Sequence, residues 1–89
     1  MGRSDKRLTL TVHAEVRMAE RGLSLKWVEN AIAEPDWTEP DPAGEGIERR
    51  FLSIEEFGGR VLRVVCMETV DEIRVITATF DRNARRRSR

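Results

Sequence analysis

Apolar residues recur along the first third of the chain with a helical period. Val12, Val16, Ala19 and Leu23 fall at i, i+4, i+7 and i+11, which predicts a helix burying that stripe. Gly22 stops it, and Arg21 just before favours the negative helix end. Ser24 then caps a second helix with the stripe Leu25, Val28 and Ile32, and Pro35 lies just past its end. Ahead of the first helix, Leu8–Val12 alternates Leu, Thr, Leu, Thr, Val. It reads either as an extra short N-terminal strand or, through Thr11, as a helix cap.

From residue 47 the period changes to two. Three strands are predicted, about Ile47–Ile54, Arg60–Glu68 and Glu72–Phe80, joined at Phe57-Gly58-Gly59 and Thr69-Val70-Asp71. With three residues in each loop, Leu52, Ile54, Leu62, Val64, Cys66, Ile76, Ala78 and Phe80 share the face that receives the helices. Arg74 is the exception on that face. The opposite, open face carries Arg49, Phe51, Ser53, Arg63, Val65, Thr77 and Thr79, and a one-residue slip in either loop swaps the sets. Residues 35–46, with Pro35, Pro40, Pro42, Gly44 and Gly46 among acids, read as an exposed loop. Trp37 is expected to fold back from it as a lid over the core. The fold class expected is therefore α+β, two N-terminal helices packed on a three-stranded antiparallel sheet. Residues 8–80 form one domain, 1–7 a disordered N-terminus and 81–89 a basic tail.

Length and composition narrow this further. Eighty-nine residues with 39% hydrophobic side chains suffice for one core and not for two. The longest apolar stretch, Val61–Met67, is broken by Arg63, so no membrane span is expected, and no signal-type segment follows the charged start. Cys66 is the single cysteine, which excludes an internal disulfide and suits a reducing cytoplasm.

Net charge is zero but unevenly spread. Residues 27–48 hold seven acids and no base, whereas residues 81–89 hold five arginines against Asp81. An acidic middle between basic ends permits binding to nucleic acid or to an acidic partner. Several chemistries drop out. One His and one Cys do not make a structural zinc site. Gly44-Glu45-Gly46 lacks the spacing of a phosphate loop, and no nucleophile elbow occurs. No cofactor is indicated.

Two constellations remain. His13, Arg17 and Arg21 stack at i, i+4 and i+8 along one helix face. An imidazole moves protons near neutral pH and a guanidinium holds phosphate bidentately. The bland reading of the same residues is structural, with the arginines paired to Glu15, Glu20 or the acidic loop. The second constellation is the open sheet face, where Arg49 and Arg63 flank Phe51 beside the tail arginines Arg82, Arg85 and Arg86. Arginines around an exposed ring suit RNA, clamping phosphate and stacking a base. Arg63 lies mid-strand, so its head group must reach solvent or a carboxylate.

The segment His13-Ala14-Glu15-Val16-Arg17-Met18-Ala19-Glu20-Arg21-Gly22, followed by Ser24 and Val28, resembles the opening of the bacterial family called domain of unknown function 4258. Leu62-Arg63-Val64-Val65 and Arg74-Val75-Ile76-Thr77-Ala78 are similar to its closing strands. The family looks like a relative of the RelE/ParE superfamily, including the BrnT toxins. That resemblance implies two helices on an antiparallel sheet and a toxin neutralised by an antitoxin. It also implies either metal-independent RNA cleavage or inhibition of gyrase. Arg63, Arg74 and Arg82 match in kind the strand and C-terminal arginines of such toxins. The expectation is thus a metal-independent endoribonuclease with His13, Arg63 and Arg82 as catalytic residues. Arg17, Arg21, Arg49, Arg74, Arg85 and Arg86 would bind RNA. The alternative is a non-catalytic protein-binding module that docks an antitoxin, gyrase or a second copy of itself.

Overall fold

A computed structural model describes residues 6–82 and residue 84. The sheet has five strands, not three, and it is mixed rather than antiparallel. The strands are β1 (Arg7–Leu10), β2 (Trp37–Pro40), β3 (Ile47–Ile54), β4 (Arg60–Glu68) and β5 (Glu72–Phe80). Their order is β1-β5-β4-β3-β2, with β1 parallel to β5 and every other pair antiparallel. Helices α1 (Val12–Arg21) and α2 (Leu25–Ala33) lie between β1 and β2 in sequence and cover one face. The three long strands occupy the expected bounds. Both additions are four-residue edge strands, one of them inside the segment that reads as an exposed loop. Pro40 ends β2, where an edge position tolerates a missing N–H. Trp37, expected as a lid on the core, instead stacks on Phe51 at 4.7 Å and 6° on the open face.

The register explains which residues are inside. The β3–β4 connection is five residues long, a 3-10 turn at Glu55–Phe57 followed by Gly58 and Gly59, both at positive φ. Two more residues than expected leave the face assignment unchanged, because side chains alternate with period two. The β4–β5 pair shifts register: Val65 faces Thr77, but Cys66 faces Val75, so Ile76 is an unpaired bulge residue. From Ala78 onward β5 keeps the expected faces. Towards the turn they invert, bringing Val75 and Ile73 to the helices in place of Ile76 and releasing Arg74 to solvent.

Helix α1 uses a different stripe from the one its period suggests, whereas α2 keeps two of its three expected residues, Val28 and Ile32. In α1 the buried residues are Ala14 and Met18, with Leu23 beyond the cap, while Val12 is 75% and Val16 48% exposed. The anchor is Thr11. Its hydroxyl accepts from Ala14 N at 3.0 Å as the N-cap and donates to the carbonyl of the bulge residue Ile76 at 2.9 Å. Those two hydrogen bonds fix the rotation of α1 on β5, with Ala14 fully buried where a larger residue would hold the helix off. Gly22, at φ 68°, ends the helix, and Leu23 N reaches back to the Met18 carbonyl in a Schellman closure. Ser24 caps α2 by accepting from Trp27 N, and α2 buries Val28, Ala31 and Ile32 while Leu25 stays exposed.

Thr11 therefore stabilises both the helix and the bulge. Thr11→Ala is expected to lower the unfolding free energy by about 1–2 kcal/mol, and Thr11→Ser by no more than ~0.5 kcal/mol. Urea denaturation of the two variants checks this.

Candidate functional site: an arginine–aromatic cleft

The open face does not present its arginines. Across the sheet Trp37, Phe51, Arg63 and Thr79 stand in one row, and Glu39, Arg49, Val65 and Thr77 in the next. Arg49 Nε donates to Asp41 at 3.0 Å, and Arg63 Nη1 donates to Asp81 at 3.0 Å. Arg63 Nε is buried with no partner among the described residues. The bond from Ala43 N, then the one from Arg49, holds the Asp41 carboxyl below the usual aspartate range. With Trp37 over Phe51 and each arginine closed on a carboxylate, Phe51 and Val65 are buried although no helix covers them. This face is sealed by its own ion pairs.

Arg50, on the helix side, is also spoken for. It donates to the Ile32 carbonyl at the end of α2, to Glu48 and to Glu68, and Lys6 bonds Glu68 in turn. Burial opposes the Arg50 charge, but the bonds to Glu68 and Glu48 outweigh it and raise its pKa. Glu68 is held below the usual glutamate range, first by Lys6 and then by Arg50. Beneath this network burial pushes the Cys66 thiol up to about 11. At neutral pH it is a small apolar filler rather than a nucleophile.

The other expected site residues are dispersed. His13 is exposed on the first turn of α1. Arg17 pairs with Glu20 at 3.4 Å, and Arg74 with Glu72 at 3.1 Å. The structure does not bring His13 and Arg63 together, because Arg63 alternates with the helix-facing Leu62 and Val64 and so lies on the far side of the sheet. Arg85 and Arg86 lie outside the described residues, as does most of the 81–89 tail.

Arg21 and Arg82 are brought together, with a residue the sequence reading did not single out. α1 starts beside residues 75 and 76 and runs along β5, so Arg21 reaches the end of that strand. Arg21, Phe57, Arg60, Thr79, Phe80 and Arg82 line a cleft of about 440 Å³. A second cavity of about 660 Å³ adjoins it, lined by Gly59, Arg60, Val61, Phe80, Asp81, Arg82 and Ala84. No described carboxylate pairs with Arg21, Arg60 or Arg82. The Arg60 guanidinium instead lies 4.4 Å above the Phe80 ring, a cation–π contact that fixes its direction. Phe80 and Phe57 are 5.4 Å apart, and Trp27 meets Phe57 edge-on at 4.7 Å. Phe57 keeps 39% of its surface exposed.

Arg60 was legible in principle. Extending the Leu62–Phe80 register by two residues sets Arg60 opposite Arg82 on the helix-facing side. The geometry can hold an anion between three cations and offer a flat ring beside it. His13 is two helical turns from Arg21, about 12 Å along the axis.

This is a small α+β domain with a basic, ring-lined cleft at the end where β4 and β5 meet α1. Residues 10–80 match the model of a domain of unknown function (DUF4258), and the chain belongs to that family. No curated protein matched the chain. No solved structure matched it either. Among the described residues no helix is long and apolar enough to cross a membrane.

The Glu68 carboxyl, depressed in the folded state, contributes stability that is present above the ordinary value of 4.5 and lost as pH falls through the folded one. Lowering the pH from about 5 to about 3 should therefore reduce the urea midpoint less in Glu68→Gln than in the parent protein. For Cys66, a thiol reagent at mildly alkaline pH should label the native protein no faster than the chain opens. Fast labelling without unfolding would contradict the burial.

Proposed function

We propose that this chain is an RNA-binding domain of the RelE/ParE toxin type, engaging a single strand through Arg21, Arg60 and Arg82. One observation carries the reading: three arginines with no described carboxylate partner converge beside an exposed ring, while Arg17, Arg49, Arg50, Arg63 and Arg74 each meet a carboxylate of the fold. Guanidinium groups take phosphate oxygens bidentately, and any base stacks on a phenyl ring, so the site suits single strands with little sequence preference. The family's resemblance to toxins of the RelE/ParE superfamily, several of which act on RNA, supports RNA as the strand.

The geometry favours binding over cleavage. Attack of a ribose 2′-hydroxyl on the adjacent phosphate needs a group that takes a proton within direct or one-water reach. The cleft supplies charge stabilisation through its arginines, but His13 stands about two turns down α1 from it. The second reading, a protein-binding module, draws on the exposed Val12 and Val16 of α1.

Fluorescence anisotropy with a single-stranded RNA of about twelve nucleotides tests the proposal. The log of the affinity should fall linearly with log salt, with a slope of about −0.7 per phosphate engaged. Each of Arg21→Ala, Arg60→Ala and Arg82→Ala should weaken binding at low salt and flatten that slope by about 0.7, while Arg74→Ala changes neither. Equal binding by the parent and the triple variant would sink the proposal. The RNA should be recovered intact; cleavage abolished by His13→Ala would return the nuclease reading to the front.

A further inference from the structure

The cleft is not one cavity but two, and the wall between them is the informative part. Arg60, Phe80 and Arg82 line both. On one side lie Arg21, Phe57 and Thr79, with no carboxylate. On the other lie Gly59, Val61, Asp81 and Ala84. The volumes, about 440 and 660 Å³, each lie in the range of sites that take a small organic molecule. Shared cations between two such spaces are where a chain of alternating neutral and anionic parts would place its anion.

We infer that the minimal ligand is a dinucleotide step of RNA, with its internucleotide phosphate seated on Arg60 and Arg82 and one nucleoside in each cavity. The inference rests on the RNA-binding reading and adds the length and placement of the ligand. Three features fix the arrangement. Arg60 is held over Phe80 at 4.4 Å, so the guanidinium is oriented before the ligand arrives. Phe57 is the exposed ring of the acid-free cavity, and one base stacks there, with Arg21 beside it. The other cavity carries the Asp81 carboxylate, already bonded to Arg63 and to Ala84 N. That ion pair leaves the space with no cation besides the shared Arg60 and Arg82, so it offers a second phosphate no seat of its own and suits a neutral nucleoside beside Phe80.

Charge and length can be separated with three small probes. Adenosine monophosphate carries more negative charge than the dinucleoside monophosphate ApA, but fills one cavity only. A methylphosphonate ApA fills both and lacks the charge. Isothermal titration should show ApA binding about tenfold tighter than adenosine monophosphate, the size of one further seated base, despite its lower charge. The neutral analogue should bind more weakly than ApA; Arg60→Ala should narrow the difference between those two, and the Arg60→Ala/Arg82→Ala double variant should remove it. Phe80→Leu keeps an apolar side chain in the core but removes the ring beneath Arg60, and should weaken ApA without unfolding the protein, as far-ultraviolet dichroism checks.

If adenosine monophosphate matches ApA while the longer RNA still depends on the three arginines, the two-nucleotide inference is wrong and the RNA reading stands. Binding of the longer RNA that ignores those arginines overturns both.

Discussion

A single unpaired residue in β5, Ile76, sets the faces of the strand on either side of it. Without it, uninterrupted alternation would carry Arg74 under the helices and send Val75 and Ile73 to the far side. A charge buried there without a partner would cost several kcal/mol, about as much as a small domain has to lose. The bulge switches the parity of β5 once, and its carbonyl is the one that Thr11 grips. The helix start, the buried stripe of α1 and the direction of α1 along β5 all follow from that grip. So does the arrival of Arg21 beside Phe80 and Arg82, since α1 ends ten residues after it begins.

The second organising fact is how the arginines are divided. Arg49, Arg50 and Arg63 stand on strands in the middle of the sheet, where solvent reaches them poorly, and each has closed on a carboxylate. Arg21, Arg60 and Arg82 stand at a helix end and at strand ends, where water can solvate a lone guanidinium. Position in the fold thus separates these two groups of arginines. The acidic segment that looked like a solvated loop supplies Asp41 to one of these closures and Asp36 to the Ser53 amide.

Much of the fold was legible. The strands β3, β4 and β5 fall where period-two alternation and the loop residues place them, and both helices end at the glycine and proline stops. What escaped has physical causes. β2 is four residues long, too short for alternation to stand out, and is flanked by Pro35 and ends at Pro40, whereas β1 falls in the alternating Leu8–Val12 stretch that left strand and helix cap both open. α1 has apolar residues on two faces, Val12 with Val16 and Ala14 with Met18, and the choice is made by Thr11 rather than by the period. A bulge leaves no mark in composition. For the site, Arg21 and Arg82 were nameable from sequence but not as neighbours. Arg60 looked like an ordinary strand start, because its role comes from pairing across a hairpin.

The two tryptophans, finally, report on different parts of the molecule. Trp27 packs edge-on against Phe57, one ring behind the cleft. Trp37 lies flat on Phe51 across the sheet, bonded through its indole N–H to Glu39 at 3.2 Å. A molecule entering the cleft perturbs the first indole and leaves the second as an internal reference, while loss of the β2–β3 pairing does the reverse. Replacing either tryptophan by phenylalanine would separate the two emissions, so the protein carries an optical gauge for its cleft and another for its sheet edge without any added dye.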